Sequence, residues 1–423
     1  MDQSSQICGR LYDLAKTRNA ENVMLDLNGV PVLLIQRLED ADHILRTNAG
    51  NYKKNMKWFR QALGASRFSE DGKAWEIRRE LTQPYFNKFD RQRAFELAVF
   101  YARKTLEKMI ARSASGATTI DDLMLRQMTA DVVVENFLEI KLEDTSIDLS
   151  VMAELMEIGS EYSFIPAGKT ATLYRDRLAR LAELRRNVLD AMRVFRSDSI
   201  PETPMLAGMR AADRDPTTGV ILEHELLTFL ASGAETSAAT VGWACHVLAT
   251  HPQLQDELRV IAQNFWQSAE PDWAHLSELK PLAQLISETL RLYPPTPIMA
   301  RLAVDRDRIG DREIEAGQNI MISFVGITHD TRLRENPWVY DASKGLASPG
   351  AGENTAFSFG PRVCGGKQFA LVELMAVLSV FLAHARFEPT SDEPVKFFWK
   401  SQMLREGGQR VRVLPIGSAA PTL

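Results

Sequence analysis

The feature that most constrains this chain is Glu223–Thr250, a proline-free run that Pro252 closes. Read as one helix of about 28 residues, it rises 1.5 Å per residue and reaches about 42 Å. A helix of that length crosses a whole domain, so the rest of the chain has to be built around it. With 423 residues, 45% apolar and 25% charged, there is ample material for a core. A chain of this size removes roughly three quarters of its unfolded surface from water, enough to enclose a large cofactor as well.

The pattern is mainly helical from Glu39 to His251, with Arg91–Ser113 and Leu173–Phe195 carrying apolar residues three and four apart. A further helix is predicted over Pro281–Tyr293, stopped by Pro294-Pro295 because a residue before proline is pushed out of helical geometry. Strand signals are fewer. Val23–Leu27 and Pro31–Ile35 flank Asn28-Gly29, a two-residue hairpin turn, and Arg308–Ser323 breaks into short hairpins at Gly310-Asp311 and Ala316-Gly317. A Gly-, Pro- and Ser-rich loop, Asp341–Gly366, then runs into a last helix over Lys367–Ala385; such long loops inside a domain are usually functional. No fixed-period repeat interrupts this order, and one domain over 1–423 is expected.

The 50 basic and 55 acidic side chains are interspersed and sum to −5, which argues against nucleic acid as a partner. Cys8, Cys245 and Cys364, odd in number and far apart, do not read as a secreted disulfide framework. Met1–Arg10 lacks the basic-then-apolar pattern of a signal peptide. The longest apolar runs, Val30–Ile35 and Leu374–Ala383, fall short of the roughly 20 residues that span a bilayer. The expectation is a cytoplasmic protein with no membrane span.

The most informative stretch is Phe357-Ser-Phe-Gly360-Pro-Arg362-Val-Cys364-Gly-Gly366, immediately before the last helix. A cysteine in a Gly-rich turn at a helix N-terminus meets backbone N–H groups and the positive end of the helix dipole, which favour the thiolate and suit it to bind a metal. Gly360 permits a positive-φ turn, and Gly366 lets a flat ligand approach the first helical turn with no Cβ in the way. Arg362 is placed to pair with an acidic group on that ligand. The bland alternative is a buried cysteine acting as a small hydrophobe. Zinc is disfavoured, because no second cysteine or histidine sits nearby at ligand spacing.

This stretch resembles, position for position, the Phe-x-x-Gly-x-Arg-x-Cys-x-Gly signature of the cytochrome P-450 haem-thiolate monooxygenases. Three further regions follow the family's order. Gly72-Lys-Ala-Trp75-Glu-Ile-Arg78-Arg79 resembles its Trp-x-x-x-Arg helix start, where Trp75 and Arg79 share a face suited to a haem propionate. Arg301 falls where the family often places another propionate partner. Ser232-Gly233-Ala234-Glu235-Thr236-Ser237 resembles the oxygen-activation motif, with Gly233 marking a local opening of the long helix. Thr236 would hydrogen-bond the oxygen and Glu235 would relay protons. The alternatives are close helix packing at Gly233 and an ordinary polar face at Glu235 and Thr236.

Glu288 and Arg291, three apart on one face, resemble the Glu-x-x-Arg pair that braces the cysteine loop; taken alone, such a pair is usually a solvated bridge. The family completes it with a loop arginine, and here Lys344 stands in that place, keeping the charge but losing the planar fork. As rival iron ligands, His246 and His329 are assigned packing or surface roles.

The resemblance implies a mainly α fold, a large helical region with a smaller β-rich region. Haem b would lie between the long central helix and the C-terminal cysteine loop and helix, with Cys364 as its axial ligand and metal-binding residue. It implies a monooxygenase that takes a hydrophobic small molecule, O2, and electrons from a separate ferredoxin and ferredoxin reductase. Arg78, Arg362 and Lys367 are the basic residues expected to guide that donor. The pocket is expected to draw on the loop before Trp75, on Phe229–Gly233, on Pro297–Met299 and on the turn near Met403-Leu404, all largely apolar. That composition favours a hydrophobic substrate, and a terpenoid, fatty acid or steroid would suit. The resemblance, which is to the family's soluble bacterial type, implies a terpenoid first, including gibberellin-type diterpenoids. The rival readings are a haem-binding sensor or carrier, and a thiolate-haem isomerase or dehydratase.

Overall fold

The computed structural model describes residues 3–27, 29–54, 56–161, 175–268, 271–341 and 355–416. In chain order the described helices are α1 (Gln3–Thr17), α2 (Leu38–Asp42), α3 (Lys57–Leu63), α4 (Gly72–Asn87), α5 (Arg91–Ala114), α6 (Asp122–Leu138), α7 (Leu149–Glu161), α8 (Arg175–Met192), α9 (Pro204–Arg214), α10 (Leu222–Thr250), α11 (Pro252–Gln267), α12 (Lys280–Leu292), α13 (Phe324–Thr328) and α14 (Lys367–His384). The strands are β1 (Val23–Leu27), β2 (Val30–Ile35), β3 (Tyr52–Lys53), β4 (Ile298–Ala303), β5 (Asp307–Ile309), β6 (Arg312–Ile314), β7 (Asn319–Ser323), β8 (Ala385–Pro389), β9 (Phe397–Lys400), β10 (Gln402–Arg405) and β11 (Val411–Pro415).

The predicted long helix is α10, 29 residues without a break. Nearly every residue from Ala238 to Ala249 is buried, because α6, α12 and α14 pack around it. Several helices start where a side chain satisfies a free N–H: Asp90 accepts from Arg93 N–H at 3.0 Å, Asp121 from Leu123 N–H at 3.0 Å, and Thr203 from Leu206 N–H at 3.3 Å. The large apolar cluster fills the space between α5, α6, α10 and α14.

The smaller β region is a five-stranded sheet in the order β1-β2-β7-β4-β3, antiparallel except where β2 runs alongside β7. Leu27 pairs with Val30, the register of the predicted two-residue turn, although Asn28 itself lies outside the described residues. The hairpin at Gly310-Asp311 is β5–β6, whereas the second half of the predicted segment becomes β7 and joins the main sheet.

α1 was not anticipated. It packs Ile7, Cys8, Leu11, Tyr12 and Ala15 against the sheet and β9, and the Tyr12 hydroxyl donates to Leu292 O at 2.5 Å. Among the described residues one helix, α14, is long and apolar enough to cross a membrane, longer than the Leu374–Ala383 run by which the sequence was judged. It lies in the core against α5 and α11.

Candidate functional site

The cysteine loop is held by its own backbone. Cys364 N–H donates to Phe357 O at 2.9 Å, and Ser358 N–H to Thr355 O at 2.8 Å. Gly360 has φ +73°, and a Cβ there would lie 2.0 Å from the Leu45 carbonyl oxygen, so no other residue fits. At Gly366, the N-cap of α14, a Cβ would meet nothing within 4 Å; the glycine lines open cavity. Cys364 is exposed to that cavity. Burial pushes its thiol up, against the opposing pull of Gly366 and Lys367 N–H and of cationic Arg67 and Lys367. The N–H groups of the helix terminus favour the thiolate as expected, and a bound cation would add to their pull against burial.

The cavity, about 740 Å³, is walled on the cysteine side by Phe357, Arg362, Cys364 and Gly366, and opposite by Phe229, Ser232, Gly233, Thr236, Ser237 and Thr240 of α10. Phe59, Phe86, Phe137, Met156, Met205 and Met209 make its remainder apolar. α10 shows no opening at Gly233. The helix is continuous, Thr236 Oγ1 donates to Ser232 O at 3.1 Å, and a Cβ at Gly233 would press on Val133 at 3.1 Å. The glycine is there for close approach to α6. Glu235 does not line the cavity. It is 2% exposed, and its carboxylate accepts from Arg126 Nη1 at 3.0 Å; burial pushes its pKa up.

Cations gather at one wall. Lys54, Arg67, Arg301 and Arg362 all line the cavity. Arg301 is 3% exposed, donates from Nη1 to Ala300 O at 2.8 Å, and has no acceptor for Nη2 among the described residues; burial, then the Arg362 charge, pushes it down to about 10. Arg362 lies 3.9 Å over the Trp75 ring and donates to Asp71 at 2.7 Å, yet its Nη1 has no acceptor among the described residues. Buried guanidinium groups need an anion. An iron macrocycle bearing two propionates fits these donors, with Cys364 for the iron and Gly366 leaving room for the ring. Trp75 lines the cavity, whereas Arg79 is exposed and stacks on Trp75 from outside at 5.2 Å. Lys54, Arg67 and Asp71 carry no sequence motif and were not anticipated.

Glu288 and Arg291 are 4% and 2% exposed, so this is no solvated bridge. Arg291 donates to both carboxylate oxygens, at 2.7 and 2.8 Å, and to the carbonyls of Thr328, Pro337 and Val339 at 3.2, 2.6 and 3.1 Å. The second cation on Glu288 is Arg334, with Nη1 at 3.3 and 3.4 Å. Lys344, expected in that role, lies outside the described residues.

Other expectations shift. At the β9–β10 turn the cavity is lined by Trp399, Ser401 and Gln402, whereas Met403 and Leu404 are buried in packing beyond it. Ile298 and Met299 line it, joined by Pro295 and Thr296. Arg78 is not a surface charge: it is 2% exposed and donates to Glu225 at 2.7 Å. His246 packs beside Trp243 and Tyr293, and His329 shares a hydrogen bond with Val325 O at 2.9 Å; neither lines the cavity.

Glu373 of α14 is fully buried with neither carboxylate oxygen in a regular hydrogen bond among the described residues, and the Ser237 hydroxyl is the polar group that favours its charged form. Burial pushes its carboxyl up from 4.5 to about 8. A raised carboxyl contributes its stability in full below about pH 4.5 and loses it as pH climbs to about 8. Glu373→Gln, neutral throughout, should therefore gain on the wild type across that window by on the order of a few kcal/mol. Urea unfolding at pH 5 and pH 8 measures this, and an unchanging difference would refute the buried neutral acid.

A sequence model of the family described as Cytochrome P450 matches residues 5–411. Cytochrome P450 4F11 of Homo sapiens is 33% identical over 207 residues, 47% of this chain and 39% of that protein. Leukotriene-B4 omega-hydroxylase 3 of Mus musculus is 32% identical over 208 residues, 47% of this chain and 39% of that protein. Carotene epsilon-monooxygenase, chloroplastic, of Arabidopsis thaliana is 25% identical over 397 residues, 84% of this chain and 72% of that protein. The matched segments thus span about two fifths of the two mammalian proteins and over two thirds of the plant one.

Proposed function

We propose that this chain, which belongs to the cytochrome P450 family, is a haem-thiolate monooxygenase that inserts one oxygen atom from O2 into a hydrophobic small molecule. The observation that carries the reading is Cys364 and Thr236 lining one apolar cavity whose wall holds a buried guanidinium, Arg301, with no carboxylate partner among the described residues. Haem b, held through the Cys364 thiolate, supplies oxygen activation, the thiolate favouring O–O cleavage. Arg301 and Arg362 would hold its carboxylates, and Trp75 stacks on Arg362. The Phe and Met side chains bind the substrate and keep water out.

Thr236 gives its hydroxyl proton to Ser232 O, so its lone pairs are what it offers the cavity, and it becomes a donor only by releasing that carbonyl. Glu235, raised by burial, takes up a proton more readily than an ordinary carboxylate, while Arg126 opposes this.

The same cavity has to hold the macrocycle and the substrate, which favours a compact substrate. We place a terpenoid first, of diterpenoid size, ahead of a fatty acid or steroid. In support of a terpenoid, one relative that aligns over most of this chain is named for carotene; another relative is named for leukotriene B4. Electrons come from a separate donor, for which we propose ferredoxin with its reductase; Lys367 is an exposed cation beside the cysteine loop. A cytoplasmic location is proposed on the burial of α14 in the core.

The test is reconstitution with reduced ferredoxin, labelled O2, and a panel of diterpenes, fatty acids and sterols. Product carrying one labelled oxygen atom is expected. Haem uptake with no product from any panel member would point to the sensor or carrier, and product formed without O2 or electrons to the isomerase or dehydratase.

A further inference from the structure

We propose that Ser401, at the tip of the β9–β10 hairpin, is a positioning residue that engages the Glu235 carboxylate oxygen not held by Arg126. The proposal rests on the monooxygenase reading and names a group that no motif in the sequence points to.

Glu235 is buried between two partners on different elements. One carboxylate oxygen accepts from Arg126 Nη1 of α6 at 3.0 Å, and the other accepts from Ser401 Oγ at 3.5 Å. Of these residues Ser401 lines the cavity, while Glu235 and Arg126 do not. Arg126 holds one oxygen, and the longer contact from Ser401 engages the other, so the two partners bound the group from different elements.

The backbone supports this assignment. Lys400 pairs with Gln402, so Ser401 is the whole turn, and it sits at φ +63°. That left-handed region strains any residue with a Cβ, and glycine is its usual occupant. Strain of this kind persists where the side chain has work to do, and here the one hydroxyl at the tip reaches a buried acid. Ser401 is itself 6% exposed, so water competes little for the bond.

The test uses the haem-loaded protein with Ser401→Gly, Glu235→Gln and the double variant. Ser401→Gly removes the hydroxyl and relieves the turn, so folding is retained; Ser401→Asn, which also tolerates positive φ and keeps a donor, is the rescue. The charged and polar groups facing Glu235 are Arg126 and Asp122 of α6 and Ser401. A hydroxyl that donates to the carboxylate stabilises its charged form. The stability of wild type relative to Ser401→Gly should therefore rise with pH through the range above 4.5 in which Glu235 titrates, and this slope should vanish in the Glu235→Gln background. A slope unchanged in that background, or none in either, would overturn the proposal.

With the panel substrate that is turned over, Ser401→Gly should lower product per electron pair about tenfold, raise peroxide release and leave KM unchanged, with Ser401→Asn recovering part. A change confined to KM would make Ser401 a substrate contact instead. If no panel member is turned over by wild type, the monooxygenase reading fails and the pH slopes still decide the contact.

Discussion

Cys364→Ser should leave a folded protein that no longer shows the strongly red-shifted Soret band of the reduced, carbon-monoxide-treated wild type, with turnover reduced to background. The substitution is nearly isosteric. The side chain faces the cavity and the loop is held by backbone bonds from Cys364 and Ser358 N–H, so unfolding should shift by no more than about 0.5 kcal/mol. What changes is the ligand: a serine hydroxyl is far less acidic than a thiol, and the burial that already pushes Cys364 up acts against an alkoxide even more strongly. A wild-type band that survives the substitution would mean another residue holds the iron. Neither His246 nor His329 is available for that: the first packs on Trp243, the second is tied to Val325 O, and both are buried away from the cavity. Wild-type protein that takes up no haem at all would end the assignment, since the buried charge of Arg301, paired with no carboxylate among the described residues, would then need another anion.

Cys364, Gly360 and Gly366 were legible in the sequence because each acts through local geometry: a turn, a positive φ, a first helical turn open to a ligand. The long helix was legible for a similar reason, proline-free with a proline at its close; it begins at Leu222, one residue before the predicted start. Gly233 misled, since the cost of a mid-helix glycine has two remedies, an opened helix or a close neighbour, and only the position of Val133 on α6 decides between them. Glu235 shows the same limit. Its spacing beside Thr236 is visible along the chain, but the direction of its side chain is set by Arg126, 109 residues away, and Ser401, 166 away. Lys54 and Arg67 reach the cavity from irregular stretches on either side of α3, and α1 is a short amphipathic helix whose apolar face has meaning only once the sheet exists.

The buried network at Glu288 leads to the second large effect. One carboxylate there faces two guanidiniums, Arg291 bidentate at 2.7 and 2.8 Å and Arg334 at 3.3 and 3.4 Å, and it also accepts Asp341 N–H at 2.8 Å. Through Arg291 the same group ties α12 to the carbonyls of Thr328, Pro337 and Val339. Glu288→Ala would leave two cations buried side by side with no anion between them, so it should cost about 3–5 kcal/mol and speed loss of haem to an acceptor protein. Arg334→Ala removes the longer, weaker contact and keeps the bidentate pair, so a smaller loss is expected, about 1–3 kcal/mol. Arg334 is thus placed to supply the charge that the sequence reading assigned to Lys344. If it does, Lys344→Ala should change stability and haem retention little, within about 0.5 kcal/mol. Urea unfolding and haem-transfer rates for the three variants decide this. Equal losses from Lys344→Ala and Arg334→Ala would mean that both cations share Glu288, and a loss from Lys344→Ala alone would return the role to the loop.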